Sequence, residues 1–283
     1  MRLLTLLTDF GDRDGFTGAV KGVIAGIAPA VRVVDIAHGV PRGDVLHAAW
    51  VLRSVCRYYP SGTVHVVVVD PGVGSGRKAL AVRTSEQFFV APDNGVLAWV
   101  VREAAGAGAS MEAWSVEDGR FLLSPPSATF HGRDVFAPAG AFLARGVDPS
   151  ELGPPLDARL APEGDLSGGP VVEMLPRPGA SPREGRVIHI DRFGNCITTL
   201  PAGDLPASVR AGEGTFLVEG REGTTAEVPG LLPSYTAVDR EDPLALAGST
   251  GLVEIAVNGG DAAARFDLVR GSRVRAGTDK QPR

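Results

Sequence analysis

The chain has 283 residues, 44% hydrophobic and 22% charged, with a formal net charge of −5. These are the proportions of a globular protein long enough for one large domain or two ordinary ones, and the acidic balance leaves no electrostatic footprint for DNA or RNA. No run of about 18 apolar residues offers a membrane span, and the N-terminus MRLLTLLTDFGD turns acidic at Asp9 without a small-residue cleavage site, so it reads as a first strand in a cytoplasmic protein, not a signal peptide.

In chain order, residues 3–7 predict a strand and residues 8–12 the loop after it. Val20, Val23, Ile24 and Ile27 recur at helical spacing over residues 18–27, and Pro29 stops that helix. Residues 31–36 are a second strand, ending near His38. Asp44 caps a helix that runs to Val55, and residues 64–69 are a third strand. Residues 80–83 and 88–90 alternate like a hairpin, residues 96–103 form a short helix, residues 104–128 lack a pattern, and residues 136–144 are helical. Strands alternating with helices predict an α/β sandwich with a largely parallel sheet over residues 1–150. Residues 151–184 are rich in Pro and Gly and read as a linker. Short strands at 185–191, 216–219, 226–228, 244–247, 253–257 and 266–269, separated by glycine turns, predict a smaller, barrel-like all-β domain over residues 185–275, with residues 276–283 as a tail.

The stretch 66–77, VVVVDPGVGSGR, has the strongest chemical character. A β-branched run buried on both faces belongs in a parallel sheet, and ligands bind where such strands end. Asp70 stands at that end, glycines let the backbone turn, and Arg77 adds a cation. On this stretch alone a binding site and a solvated ion pair are equally good readings. Asp9, His38, Asp93 and Asn94 also follow predicted strands. Several chemistries are excluded by missing motifs: no G-x-G-x-x-G follows the first strand, and there is no P-loop, no G-x-S-x-G elbow and no H-E-x-x-H. A metal centre is not expected. Cys56 and Cys196 make neither a disulfide framework nor a C-x-x-C pair. Trp50, Trp99 and Trp114 read as core or interface residues.

Six motifs then occur in fixed order: LLTDFG (6–11), VVDPGVGSGR (68–77), APDNGVL (91–97), TFHGRDVFAP (129–138), IDRFGN (190–195) and STGLVEIAVN (249–258). Together they resemble the S-adenosyl-L-methionine hydroxide adenosyltransferase family, relatives of the fluorinase and chlorinase enzymes. The resemblance implies an α/β domain followed by a β-rich domain, a homotrimer with its nucleoside site at the subunit interface, and hydrolysis of S-adenosylmethionine to adenosine and L-methionine. It implies no metal or organic cofactor, and a small-molecule substrate as partner. By motif matching, Asp70, Arg77 and His131 would gather around the attacking water. Asp9 would hold the ribose hydroxyls, Asn195 would read the adenine edge with Phe193 packed near it, Asp191 would hold the methionine ammonium, and Ser249 would contact its carboxylate.

Water at neutral pH needs activation, and Arg77, always protonated, cannot be the base. His131 is the natural proton acceptor, with Asp70 orienting the water or fixing the His131 tautomer; taken alone, His131 also reads as an ordinary turn histidine. The halogenases of the family carry Tyr or Gly in place of Asp70 and a halide-contacting Ser in place of Gly132, so water is the expected nucleophile. Phe16, Thr199, Gly248 and Thr250 depart from frequent family residues. Asp93, Asn94, Arg133 and Asp134 read as loop caps and an ion pair. The alternatives are a halogenase-like substitution enzyme and a module that binds S-adenosylmethionine or adenosine without turnover.

Overall fold

The computed structural model describes residues 3–156 and 183–277. The chain divides into two compact units, the first holding the described residues 3–156 and the second residues 183–277. Most of the expected linker, and the last six residues of the expected tail, lie outside the described residues.

The first unit is built on a seven-stranded sheet of β1 (Leu3–Thr8), β2 (Arg32–Ala37), β3 (Val64–Val68), β4 (Ala79–Thr84), β5 (Phe88–Pro92), β6 (Met111–Ser115) and β7 (Pro155–Leu156), in the order β2-β1-β3-β5-β4-β6-β7. The four strands β2, β1, β3 and β5 run parallel. The expected hairpin is β4 on β5, with Leu80 opposite Ala91 and Val82 opposite Phe89, and it starts an antiparallel extension through β6 and β7. β3 is buried along its whole length, as a strand covered on both faces must be. Val64, Val66 and Val68 pack with Val20 and Ile24 of α1 (Phe16–Ile27) and Ala139 and Leu143 of α4 (Ala137–Arg145). Val67 packs on the opposite face with Leu52 of α2 (Val45–Cys56) and Val100 of α3 (Ala98–Gly106). Gly140 in α4 has a packing reason: a Cβ there would lie 2.4 Å from Val66 Cγ2.

This strand order fixes the functional edge. The connection from β1 to β2 runs through α1 on one face, and the connection from β2 to β3 runs through α2 on the other. The chain therefore winds outward from β1 in both directions, and the gap between the carboxyl ends of β1 and β3 is a topological switch point, where loops diverge and leave a crevice.

The second unit is an antiparallel sheet of β8 (Glu184–Ile190), β9 (Cys196–Pro201), β10 (Thr215–Glu219), β11 (Thr225–Pro229), β12 (Pro243–Ala247), β13 (Leu252–Val257) and β14 (Arg273–Gly277), ordered β11-β10-β14-β8-β9-β13-β12. β8 pairs with β14 through its first half and with β9 through its second, so the sheet bends there. The chain after β11 returns to the far edge, where Leu232 N donates to Ala245 O of β12 at 2.8 Å, and a barrel-like core closes over Phe216, Val187, Val253 and Val274. One expected strand is not formed: residues 266–269 follow a short helix, Ala262–Arg265, whose N-cap Asp261 accepts from Ala264 N. Trp99 and Trp114 are core residues, as expected. Among the described residues no helix is long and apolar enough to cross a membrane.

His65 marks a pH limit on the fold. It sits in β3 with no exposed surface, its Nδ1 2.8 Å from Thr5 Oγ1 and its ring stacked on Phe89. Burial lowers its pKa from 6.5 to about 4. Between those values the unfolded chain takes up a proton that the folded chain refuses, so this contribution is complete above pH 6.5 and declines as pH falls toward 4, by up to about 3 kcal/mol. Urea unfolding from pH 7.5 to 4.5 should show this decline, and the His65→Gln variant should show a flatter dependence on a lower baseline.

Candidate active site

The carboxyl end of β3 continues through Val69 into Asp70, and the glycine-rich loop folds Arg77 back onto it. Turn bonds from Val73 N to Asp70 O and from Ser75 N to Gly72 O shape the loop. Gly74 has φ +78°, and a Cβ there would lie 2.5 Å from Ala128 O, so only glycine fits. Arg77 Nε donates to both carboxylate oxygens of Asp70, at 3.0 and 2.9 Å, and Nη2 also bonds Oδ2. The same Nη2 lies 2.8 Å from His131 Nδ1, and the guanidinium carbon stands 5.1 Å above the Phe136 ring. The Asp70 and Arg77 side chains are only 5% and 11% exposed. The solvated-pair reading of this loop is therefore excluded, and the trio expected from the motifs is brought together.

His131 is delivered by local structure. It precedes a π-helical turn, Gly132–Phe136, that leads directly into α4; such turns re-aim side chains and occur often at functional sites. Asp134 in that turn accepts from Ser127 N at 2.8 Å and pairs with Arg133 at 2.6 Å, and the Arg133 bond holds its carboxyl below the usual range. Both residues are structural, as expected. So is Asn94, whose side chain donates to Val69 O and accepts from Val96 N.

The geometry assigns the tautomer of His131. A guanidinium can only donate, so Nδ1 accepts and the ring proton resides on Nε2. Burial, followed by the Arg77 charge, lowers the His131 pKa, which keeps the ring neutral near pH 7. This changes the role expected of it. With Nδ1 engaged and Nε2 already protonated, His131 is a hydrogen-bond donor to whatever lies before it. Arg77, not Asp70, is the group that fixes its tautomer. Neither thiol competes as a nucleophile: burial pushes Cys56 up to about 11 and Cys196 up to about 12.

Asp9 lies on the neighbouring loop after β1. Its Oδ2 accepts from Gly43 N at 2.8 Å, and Gly11 N donates to His38 O at 2.8 Å, which ties the loops after β1 and β2 together. Beneath them Thr8 Oγ1 lies 2.9 Å from His38 Nδ1, a structural use of His38. Phe10, Phe16 and Phe130 form an aromatic cluster beside these residues. No motif or spacing signalled it, because the three rings come from separate segments.

In the second unit Asp191 organises the turn between β8 and β9. Its Oδ1 accepts from Phe193 N at 2.8 Å and Asn195 N at 3.0 Å, and its Oδ2 accepts from Asn195 Nδ2 at 2.9 Å. Asn195 is buried and Phe193 is 67% exposed. Ser249 is exposed in the turn between β12 and β13. Two residues not foreseen from sequence join this region. Glu254 is buried in β13 and accepts a bond from the Tyr235 hydroxyl, and burial together with nearby Asp191 raises its pKa. The available signal was a lone acid within the otherwise apolar stretch LVEIAV. Among the described residues no group of three His, Cys, Asp or Glu side chains is arranged to hold a metal ion.

Comparison with known proteins places these sites in context. Residues 4–153 match the model of the SAM hydroxide adenosyltransferase N-terminal domain, and residues 185–275 match that of the C-terminal domain. An (R)-S-adenosyl-L-methionine hydrolase of Thermus thermophilus is 38% identical, across 97% of this chain and 99% of its own. A fluorinase of Actinopolyspora mzabensis is 27% identical across 96% of both chains. The crystal structure of an uncharacterized conserved protein from Thermotoga maritima superposes with a TM-score of 0.80 at 33% identity, covering 97% of this chain and all of the other.

Gly132 carries a steric prediction. A Cβ there would lie 2.9 Å from Phe10 Cζ and 3.3 Å from Phe130 Cε2. Gly132→Ala should lower stability by about 1–3 kcal/mol, as overpacking does, and Phe10→Leu in the same chain should recover part of the loss. Thermal unfolding of the two single variants and the double variant measures that coupling.

Proposed function

Because the chain belongs to the S-adenosyl-L-methionine hydroxide adenosyltransferase family, we infer that it hydrolyses S-adenosyl-L-methionine to adenosine and L-methionine. The observation that carries the mechanism is the bond from Arg77 Nη2 to His131 Nδ1 on a guanidinium already paired with Asp70. The sulfonium makes the ribose 5′ carbon electrophilic and leaves as a neutral thioether, so the leaving group needs no acid. The nucleophile does need help, since bulk water has a pKa of about 15.7. In this reading a water lies in line with the carbon–sulfur bond, about 3 Å from the carbon. The Arg77 charge and the His131 Nε2–H stabilise its developing hydroxide character, and Asp70 accepts its proton. The C5′–O bond forms, the C5′–S bond breaks with its electron pair going to sulfur, and one proton is released. No metal or organic cofactor enters this scheme.

Asp9 Oδ1 is the proposed acceptor for the ribose hydroxyls, since Oδ2 already holds Gly43. Asn195 and Phe193 are assigned to adenine, Ser249 to the methionine carboxylate, and Asp191 to the ammonium group. Because Asp191 also holds its own turn together, its loss should disturb Asn195 as well. The name of the Thermus relative points to the (R)-sulfonium epimer as the preferred substrate. The protein is proposed to act in the cytoplasm as a homotrimer. A halogenase reading is disfavoured by the crowding at Gly132, where any side chain would meet Phe10 and Phe130.

Three measurements test this reading. Incubation with S-adenosylmethionine in ¹⁸O-water should put the label at the adenosine 5′ hydroxyl, and the (R) epimer should be consumed faster than the (S). Asp70→Asn should lower kcat by about 10²–10⁴-fold while adenosine still binds; undiminished turnover refutes its role. Asparagine is preferred to alanine because it retains an acceptor for Arg77. On the acid side kcat/KM should fall with an apparent pKa below 6.5, as protonation of His131 breaks its bond with Arg77, and His131→Asn should abolish that limb.

A further inference from the structure

The aromatic cluster beside the trio has no part in the scheme above. Phe10 follows Asp9, Phe16 opens α1, and Phe130 precedes His131. Ring centroids lie 5.1 Å apart for Phe16–Phe130, 5.8 Å for Phe10–Phe130 and 5.9 Å for Phe10–Phe16, all tilted or edge-to-face. Phe16 is 46% exposed. A first helical position favours proline or acidic residues, so helix formation does not account for a phenyl ring there, and its burial is too incomplete to make it a core residue.

Charge gives the cluster a use. Asp70 is neutralised by Arg77 and Asp134 by Arg133, so neither is a free counter-charge for a cationic substrate. Aromatic faces at this edge already accept cations: the guanidinium carbon of Arg133 stands 5.0 Å over Phe130, and that of Arg77 stands 5.1 Å over Phe136. We propose that the Phe10–Phe16–Phe130 cluster, through the open face of Phe16, binds the sulfonium centre of the substrate and makes the site selective for a sulfonium over a neutral thioether. This rests on the hydrolase reading and adds a specificity-determining residue to it. The chemistry suits the reaction. The sulfonium charge vanishes as the carbon–sulfur bond breaks, so a strong anionic partner would stabilise the ground state more than the transition state and slow the step. A phenyl face holds the cation more weakly and has less to surrender.

The test compares S-adenosyl-L-methionine with its neutral analogue S-adenosyl-L-homocysteine. Binding is measured by calorimetry in the Asp70→Asn background, where the substrate survives, with and without Phe16→Leu; turnover is measured with Asp70 present. Phe16→Leu should weaken S-adenosylmethionine binding about two- to five-fold and leave S-adenosylhomocysteine unchanged. It should raise KM without lowering kcat, and Phe16→Trp should restore the preference for the sulfonium. An equal loss for both ligands, or no loss for either, overturns the proposal, and unchanged melting temperatures confirm that the fold is intact. If the chain with Phe16 and Asp70 both present releases no adenosine, the hydrolase reading itself fails, a result distinguishable from a Phe16 effect.

Discussion

One guanidinium holds the candidate active site together. Arg77 spends one edge of its fork on Asp70 and extends the same Nη2 to His131. Lysine could not replace it, because an ammonium offers a point charge where this site uses a planar fork. The buried pair adds little net stability, since desolvation offsets most of its Coulomb gain, but removing one partner strands the other at a cost of about 3–5 kcal/mol. Its value is in specification. By donating to Nδ1, Arg77 decides which imidazole nitrogen carries the proton, and its charge adds to burial in keeping the ring neutral. The carboxylate orientation, the histidine tautomer and the local positive potential all follow from where one side chain lies.

That position depends on the sheet. β1 and β3 are adjacent and parallel, and the helices that follow β1 and β2 cross on opposite faces of the sheet, so the carboxyl ends of β1 and β3 open a crevice at the switch point. Asp9 and Asp70 arrive there because Asp9 comes directly after β1 and Asp70 follows the end of β3 with only Val69 between. His131 comes from a different source, the turn ahead of α4, and it reaches the trio because α4 packs across β3. The second unit presents its candidate residues from turns at its strand ends, with Asp191 serving as the hub of one of them.

The legible parts of this chain were those where local pattern and tertiary role agree. The β-branched run of β3, the helical spacing of α1 and the alternating β4–β5 hairpin each bury what their sequences suggest. Elsewhere tertiary context prevailed. β9, CITTLP, has little alternation because every residue but its last is buried. β6 exists through its pairing with β4 more than through its own composition. The apolar residues 266–269 suggested a strand, but the helix capped by Asp261 claims the preceding turn. The Asp70–Arg77 pair was legible from spacing within one loop. His131 lies 54 residues beyond Arg77, and only the family resemblance linked them. The tautomer, the Tyr235–Glu254 bond and the phenyl cluster depend on long-range contacts that no local pattern encodes.

Gly140 has a consequence that reaches beyond packing. It lets the backbone of α4 rest directly against Val66, where any larger residue would stand about 1 Å inside ordinary contact distance. Val66 belongs to the strand that delivers Asp70, and α4 is the helix that continues the turn carrying His131. The spacing between the two halves of the trio therefore rests on the Val66 side chain packed straight onto the helix backbone, with no second side chain between them. In mechanical terms position 140 is a gauge block: it sets the tolerance of the Asp70–Arg77–His131 arrangement from nine residues past His131. A larger residue there would push α4 away from β3 and, with it, His131 away from Asp70.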